Sequence, residues 1–493
     1  MSTAQTVAGR FALGAPRRRY PGLTLAVILT AALMLILDVT VVNIALPTIQ
    51  GVLHFSATNL SWVLNAYTLA FGGFLLLGGR VGDIMGRRRV FMAGLLLFTL
   101  ASLLGGLAPA AGWLLAARAA QGIGAAFAGP STLALIATNF AEGPQRNRAL
   151  AMYSAVIGAG SSVGLILGGL LTAEASWRWV MFINVPIGLA VVLLAPLVIQ
   201  EPERQSGRLD IAGALTATGG MTALVYGFIR AASSGWGDRT TLSAFALAAV
   251  LLALFLAIEV RTPEPLVPLR LLANRNRAGA YLNMLLLPAT MFGSFFFLTQ
   301  FIQDVLGFSP LQAGLAFLPL TLVMFTTVRV LPRLLSRFGP KPLMVAGATL
   351  VAGADVWLTH LSAVSGYASG LIGPMVLLGI GIGCSIMPMQ MLILSGVARH
   401  ESGAASGLLQ TMQQVGGSLG LAILVNVFGS ASRAASVHLS PRVGPQLQAH
   451  YSFAHGVASA FTVGTCFAAC TLLVALVAIS TGSITTRPSA MAA

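Results

Sequence analysis

A carboxylate and a guanidinium stand inside two separate apolar runs of the chain. Asp38 lies within ILDVTVVNIALP, and Arg118 opens the stretch RAAQGIGAAFAGP. A charged side chain at the centre of a bilayer costs about 2.5–3.5 kcal/mol even on the lenient insertion scale. We therefore expect Asp38 to take up and release a proton or to contact a substrate. The alternative is a structural acid that hydrogen-bonds to a neighbouring helix.

Arg118 is the only basic residue placed well inside an apolar run. It could stabilise a carboxylate of the same helix bundle, which makes Asp38 and Arg118 the predicted proton-coupling pair. The alternative is an arginine that reaches out to the membrane interface, since it stands only about six residues into its run.

Four further residues are candidates for a substrate cavity. Asn43 follows Asp38 in the same run, and Gln121 follows Arg118. Phe292 and Phe296 belong to a phenylalanine-rich run that could line an apolar cavity, although contact with lipid or core packing would also explain them.

An arginine-rich turn connects two apolar runs and recurs later in the chain. Residues 79–94 (GRVGDIMGRRRVFMAG) align with residues 332–347 (PRLLSRFGPKPLMVAG), so that Gly86 falls on Gly339 and Arg80 on Arg333. Two copies of one helix-turn-helix unit predict a duplicated membrane protein, the plan by which many transporters build two halves.

The composition agrees with a membrane protein. Of the 493 residues, 56% are hydrophobic and only 8% are charged, whereas soluble domains carry about 25% charged residues. The net charge of +15 does not predict a nucleic-acid partner, because the arginines fall in short turns between apolar runs. The three cysteines lie in apolar runs without histidine or acidic neighbours, so neither a disulfide nor a metal site is expected.

Fourteen runs are long enough to span a bilayer, and an even number places both termini on one side. Most of the 28 basic residues fall in the loops on the side of the N-terminus, which predicts that both termini are cytoplasmic. The expected location is the cytoplasmic membrane. The predicted spans are 22–46, 60–78, 90–108, 112–138, 149–172, 179–199, 210–230, 241–259, 278–303, 312–332, 342–361, 368–394, 405–429 and 456–480.

The repeat divides these spans into two bundles. The first copy of the turn follows span 2 and the second copy follows span 10, so we expect the second half to begin at span 9. We therefore predict a cytoplasmic tail (1–21), an N-terminal six-helix bundle (22–199), an inserted helix pair with its loops (200–277), a C-terminal six-helix bundle (278–480) and a second cytoplasmic tail (481–493).

The sequence contains no machinery for ATP use or for catalysis. A phosphate-binding P-loop ends in Lys followed by Ser or Thr, but Lys341, the one lysine, precedes Pro342. No HExxH or CxxC motif is present. We expect no enzymatic activity and no cofactor, and an ion gradient as the energy source for any uphill transport.

Span 5 carries glycines at four-residue spacing. Gly160, Gly164 and Gly168 share a helix face with Gly169 beside them, and small residues at this spacing allow another helix backbone to approach closely. Asp355 in span 11 is a second intramembrane acid, near the outer end and without an evident partner.

Several motifs together resemble the major facilitator superfamily. GRVGDIMGRRRV resembles its loop signature between helices 2 and 3. LDVTVVNIALP, RAAQGIGAAFAGP and WRWVMFINVPIG resemble signatures of its fourteen-span drug:proton antiporter branch. The resemblance implies an all-α fold of two six-helix bundles plus two inserted helices, working by alternating access. It also implies export of an amphipathic drug, antibiotic or secondary metabolite in exchange for protons.

The resemblance also implies roles for individual residues. Asp38 would be the protonated acid and Arg118 the arginine that assists proton transfer. A cytoplasmic gating motif would join the halves, and the span 5 glycines would form the helix-packing antiporter motif. The gating residues are Gly79, Asp83, Gly86, Arg87 and Arg88.

Two positions depart from these signatures. Ile84 stands where the loop signature has a basic residue, although Arg337 occupies that place in the second copy. Leu165 replaces the proline expected between Gly164 and Gly168. Span 10 has no acid between Leu311 and Pro332, so we expect neutral or monocationic substrates rather than dications.

Two other functions remain open at the level of sequence. The first is a proton-coupled uptake symporter on the same fold. The second is a membrane scaffold or sensor that transports nothing. Under the leading hypothesis the partners are a small amphipathic substrate, protons and the lipid bilayer, and the protein works as a monomer.

Overall fold

Fourteen long helices make up the part of the chain that the structure, a computed structural model, describes. That part is residues 21–140, 143–201, 209–262, 265–267, 269–397, 401–438 and 444–480. Each helix is long and apolar enough to cross a membrane, and the described residues contain no strand, so the predicted all-α membrane fold with fourteen spans is confirmed. The two predicted tails lie mostly outside the described residues. The helices are α1 Pro21–Leu53, α2 Asn59–Met85, α3 Arg87–Gly106, α4 Ala111–Asn139, α5 Pro144–Glu174, α6 Trp179–Val198, α7 Ile211–Ser234, α8 Arg239–Arg261, α9 Arg275–Val305, α10 Pro310–Phe338, α11 Pro340–Leu358, α12 Tyr367–Leu394, α13 Gly403–Val437 and α14 Pro445–Val477.

Several helices extend beyond the apolar runs that predicted them. Helix α1 continues to Leu53, and α14 begins at Pro445, whereas the predicted spans were 22–46 and 456–480. An apolar run marks the segment that crosses the hydrocarbon core of about 30 Å. The backbone continues its hydrogen-bonded ladder into the more polar zone outside that core.

The two arginine-rich turns fold alike but pack differently. Gly86 connects α2 to α3 with φ 109°, and Gly339 connects α10 to α11 with φ 77°, a conformation that only glycine adopts readily. At Gly86 a Cβ would lie 2.6 Å from Oε1 of Glu201, whereas nothing lies within 4 Å of a Cβ at Gly339. The first turn is therefore held against the end of α6, and the second is open.

The fourteen helices form two groups and a hairpin. Helices α1–α6, called the N-terminal bundle below, pack mainly among themselves, and so do α9–α14, called the C-terminal bundle. The domain limits predicted from the repeat stay a prediction. We call the side of the Gly86 turn the arginine-rich side and the opposite side, where α1 ends, the arginine-poor side.

The inserted hairpin contacts both bundles through α7. The ring centroids of Trp62 on α2 and Tyr226 on α7 lie 6.2 Å apart, and Asn426 of α13 donates a hydrogen bond to the Phe228 carbonyl at 2.9 Å. Helix α7 therefore lies across the α2–α13 contact, and α8 packs against α7.

Asp238 fixes the start of α8. Its carboxylate accepts hydrogen bonds from the Thr241 backbone N–H at 3.1 Å and from Arg230 Nε at 3.2 Å. The hydrogen bond from Arg230, followed by that from Thr241, holds the pKa of Asp238 below its usual value. The N-cap of α8 is therefore charged at neutral pH, which favours the positive end of the helix dipole.

Candidate functional site

Asp38 lies at the centre of a hydrogen-bonded cluster inside the N-terminal bundle. Its side chain is fully buried. Oδ1 accepts hydrogen bonds from Nε2 of Gln121 and Nδ2 of Asn184, both at 3.0 Å, and Oδ2 accepts one from Nη1 of Arg118. The carboxylate on α1 is thereby tied to α4 and α6. Because this shell offers only donors, one of them cationic, it suits an ionised carboxylate.

Arg118 is held from several directions. Its Nε donates to the Val63 carbonyl at 3.0 Å, and its Nη1 donates to Oε1 of Gln121 at 3.0 Å. The guanidinium carbon lies 4.5 Å from the centroid of the Tyr67 ring. The side chain is fully buried, so the alternative of an arginine that reaches the interface is wrong. Nη2, which carries two N–H groups, has no hydrogen-bond partner among the described residues.

The sequence of α4 explains why these groups meet. Arg118 and Gln121 are three residues apart and therefore share a helix face. A Cβ at Gly122 would lie 2.4 Å from the Tyr67 carbonyl, and a Cβ at Gly124 would lie 2.7 Å from the Gly94 carbonyl. Glycine at these positions lets α2 and α3 approach α4 closely, so that both helices reach the Asp38 cluster.

Three members of the cluster were not predicted. Asn184 lies inside WRWVMFINVPIG, in the second turn of α6. Ser102 of α3 accepts a hydrogen bond from Gln121 Nε2 at 2.7 Å. A buried amide within an apolar run was a usable signal for Asn184. Ser102 and Tyr67 carried no comparable signal in the sequence.

Asn43 lies where the two bundles meet on the arginine-poor side. Its Nδ2 donates to the Phe295 carbonyl at 3.2 Å and to Oγ1 of Thr299 at 2.9 Å, both on α9. Close by, Nε2 of Gln303 donates to the Ile44 carbonyl at 2.9 Å. Helix α1 therefore carries both the buried acid and a polar contact to the other bundle.

The glycine face of α5 packs against α1. Cβ atoms at Gly160, Gly164 and Gly168 would meet, respectively, Leu33 at 3.0 Å, the Thr40 hydroxyl at 1.9 Å and the Val41 carbonyl at 2.7 Å. These glycines bring the α5 backbone onto α1, the helix that holds Asp38.

The neighbouring glycine meets the other bundle. A Cβ at Gly169 would lie 2.5 Å from the Pro310 carbonyl of α10, and a Cβ at Gly314 of α10 would lie 2.4 Å from the Leu165 carbonyl. The backbones of α5 and α10 are therefore in direct contact on the arginine-poor side. Leu165 contributes to that contact although it replaces the expected proline.

The predicted gating motif is bonded within the N-terminal bundle. Asp83, near the end of α2, forms an ion pair across the Gly86 turn with Arg87, the first residue of α3. The Arg88 backbone N–H donates to Oε1 of Glu201 at 3.0 Å, and Arg88 Nε lies 3.5 Å from Oε2 of Glu201. Gly79 lies beside Pro130 of α4, with 3.8 Å to a Cβ placed on the glycine. Among the residues described, none of these bonds reaches the C-terminal bundle, and Glu201 was not predicted.

The predicted cavity residues are in different environments. Gln121 is fully buried in the Asp38 cluster. Phe296 is fully buried, with its ring centroid 5.1 Å from that of Phe297. Phe292 is half-buried against Gly417 of α13. A cavity role for these residues stays a prediction. Within the described part of the chain, no group of three or more histidine, cysteine or acidic residues could hold a metal ion.

Two helical bundles with an acid–arginine pair buried in one of them define a multi-pass membrane transporter. The chain belongs to the Major Facilitator Superfamily, whose family model matches residues 28–421. The family predicted from the motifs is confirmed.

Similar proteins include several with names that describe antibiotic resistance or export. A puromycin resistance protein of Streptomyces alboniger is 43% identical over 92% of this chain and 90% of its own length. A cephamycin export protein of Amycolatopsis lactamdurans is 43% identical over 84% of this chain and 86% of its own length. A solved structure of a bacterial homolog of the human lysosomal transporter Spinster superposes with a TM-score of 0.66 at 16% identity, covering 94% of this chain and 97% of that one. This last likeness concerns the fold alone.

Proposed function

We propose that the protein exports a small amphipathic compound, of the antibiotic or secondary-metabolite class, across the cytoplasmic membrane in exchange for protons. The names of relatives 43% identical to this chain, a puromycin resistance protein and a cephamycin export protein, support the direction and the class of substrate. The observation that carries the proton exchange is Asp38, a fully buried carboxylate bonded to Arg118 and to two amides.

Protonation of Asp38 would remove the charge that holds this cluster together. The bonds from Arg118, Gln121 and Asn184 all end on the carboxylate, and a neutral acid accepts them less strongly. Arg118 would then rely on the Val63 carbonyl and the Tyr67 ring of α2. A proton on Asp38 therefore loosens α1 from α4 and α6 within the N-terminal bundle.

Helix α1 offers a route from this event to the interface between the bundles. Asn43, on the same helix, donates hydrogen bonds to Phe295 and Thr299 of α9. A rotation or shift of α1 after protonation would strain these bonds. In the proposed cycle the proton reaches Asp38 from the outer side once the arginine-poor side has opened, substrate leaves there, and the protonated transporter carries the proton back to the cytoplasmic side.

The proposed orientation places the arginine-rich side and both termini in the cytoplasm, in accordance with the excess of basic residues in those loops. The arginine-poor side, where Gly169 and Gly314 bring two backbones into contact, would then face outward. Substrate would load from the cytoplasm. The protein would work as a monomer, without a cofactor, on the energy of the proton gradient.

The direct test is accumulation of dyes and antibiotics in an efflux-deficient host. Wild-type protein is expected to lower accumulation, and a protonophore or Asp38→Asn is expected to restore it. Asp238→Asn is the matched control, because it makes the same carboxyl-to-amide change at the exposed start of α8 and should export normally. Equal accumulation in all strains would contradict export for the compounds tested. Higher accumulation with wild-type protein would instead indicate uptake.

A further inference from the structure

Asp355 is a second buried acid, and its surroundings are the opposite of those of Asp38. It lies in the last turn of α11, on the arginine-poor side, and its exposed fraction is 0%. Neither Oδ1 nor Oδ2 has a hydrogen-bond partner. Asp38, equally buried, receives three hydrogen bonds. An ionised carboxylate is therefore much less favourable at Asp355 than at Asp38, because only Asp38 has hydrogen-bond donors around it.

The contact around Asp355 is a tight one between helices. A Cβ on Gly464 of α14 would lie 3.3 Å from Oδ2 of Asp355. The Gly464 carbonyl accepts a hydrogen bond from Oγ1 of Thr290 on α9 at 3.4 Å. A glycine on α14 thus allows the carboxyl group to pack directly against a helix backbone.

No cation in the described chain compensates this carboxylate. The helices packed against α11 are α10, α12 and α14, and α9 joins them through Thr290. No ion pair or hydrogen bond connects any of their titratable groups to Asp355. The arginines of α10 and Lys341 of α11 lie toward the arginine-rich ends of their helices, and Lys341 donates to the Leu476 carbonyl. The titratable groups on the helices around Asp355 are Arg329, Arg333 and Arg337 on α10, Tyr367 and Cys384 on α12, His450, Tyr451, His455, Cys466 and Cys470 on α14, Arg275, Arg277, Tyr281 and Asp304 on α9, and His360 just beyond α11.

An ionised carboxylate without a partner is strongly disfavoured in such surroundings, and the group takes up a proton instead. A metal ion would need several oxygen ligands, but the described residues contain no group of three or more histidine, cysteine or acidic residues that could hold one. A proton needs no such set of ligands. We infer that Asp355 is a proton-binding site in the C-terminal bundle and that a proton occupies it in this conformation.

This inference goes beyond the proposed exchange at Asp38 and does not depend on it. Asp355 keeps its proton because an ionised carboxylate without a partner is disfavoured in this helix–helix contact. No arginine takes part. Separation of α11 from α14 would admit water and allow the proton to leave. Asp355 lies near the arginine-poor end of α11, so the proton would exchange with that side.

Infrared difference spectroscopy of the purified full-length protein tests the site without any transport assay. Spectra recorded at acidic and alkaline pH should contain a carboxylic acid C=O band that shifts in heavy water. The band should be missing in Asp355→Asn and retained in Asp38→Asn. A spectrum unchanged by Asp355→Asn would overturn the inference. Export activity does not enter this measurement, so failure of the proposed function would be seen separately.

Thermal unfolding in detergent supplies the second readout. The unfolded chain ionises Asp355 at ordinary pH whereas the folded chain keeps it protonated, so the folded state binds more protons and rising pH favours unfolding. The unfolding temperature of the wild type should therefore fall more steeply with pH than those of Asp355→Asn and Asp355→Leu. If both variants unfold at lower temperature than the wild type by the same amount at every pH, the residue is a structural acid and the proton site is excluded.

Discussion

Asp38 is the residue on which the proposed proton coupling rests, and three hydrogen bonds end on its buried carboxylate. The apolar run around it and the isolated Arg118 were sufficient to predict the pair. The third group on the carboxylate, Asn184, comes from α6. Packing of α6 against α1 brings this amide from a distant part of the chain to within 3.0 Å of Oδ1. Spacing along the sequence does not contain such a contact, because it arises only when three helices pack together.

Replacement of Asn184 by leucine should raise the pH midpoint of export activity, because it removes one of the three hydrogen bonds to the Asp38 carboxylate. A hydrogen bond to a charged group contributes about 1.5–3 kcal/mol, which corresponds to an upward shift of about 1–2 pH units in the midpoint of export activity. Proteoliposomes measured over a range of pH would provide that midpoint.

Asn139→Leu is the matched control for this variant. Asn139 is also a buried amide of the N-terminal bundle, but it bonds to the backbone of Gln200. Its replacement should reduce stability and leave the midpoint in place. An unchanged midpoint in Asn184→Leu would show that this amide does not tune Asp38.

At the scale of helices, glycines determine which elements can touch. The spacing of Gly160, Gly164 and Gly168 predicted a face for close packing, and the structure places α1 on that face. Gly169 faces a different helix, because a step of one residue turns the side chain by about 100°. The sequence did not indicate which helix that would be. Adjacent glycines of α5 therefore contact different bundles.

Gly169→Ala should weaken the contact between the bundles on the arginine-poor side. Its Cβ would lie 2.5 Å from the Pro310 carbonyl, a backbone atom that cannot rotate away. In a cysteine-free background carrying Thr299→Cys, the Gly169→Ala variant should react faster with a membrane-impermeant thiol reagent. Thr299 is buried at the contact between α1 and α9, which also joins the two bundles on the arginine-poor side.

Gly160→Ala is the control for that experiment, since its Cβ would meet the flexible side chains of Leu33 and Ile36 at 3.0 and 3.3 Å. Its labelling rate should stay near that of the parent. Equal rates for the two alanine variants would argue against a closed contact at Gly169.

The two arginine-rich turns allow a matched comparison of stability. Alanine at either glycine must adopt a positive φ, which costs about 1–3 kcal/mol. At Gly86 the new methyl group would also displace the Glu201 carboxylate from Arg88. Gly86→Ala should therefore lower the unfolding temperature more than Gly339→Ala. Equal losses would show that Glu201 contributes nothing to the first turn.

At the scale of the whole molecule, composition and duplication predicted much of the architecture. The apolar runs identified fourteen helices, whereas the domain limits inferred from the repeated turn stay a prediction. The position of the inserted pair could not be predicted in this way. Helix α7 lies against both α2 and α13 through Trp62, Tyr226 and Asn426, a surface that a hydrophobicity pattern does not distinguish from one that faces lipid.

The arrangement also explains why the gating residues could be named but their partners could not. Asp83 and Arg87 are four residues apart, on either side of the Gly86 turn, and pair locally. Glu201 follows α6, 113 residues further along the chain than Arg88. It belongs to none of the motifs recognised in the sequence. Its contact with Arg88 exists only because α3 and α6 pack side by side.

Proteoliposomes with an imposed pH gradient provide the most direct test of whether protons drive transport through Asp38. Wild-type protein should move an amphipathic substrate against the direction of proton flow. Asp38→Asn should bind the same substrate, as measured by equilibrium binding, and show no gradient-driven movement. Gradient-driven transport that persists in Asp38→Asn would contradict the claim and place proton coupling elsewhere in the molecule.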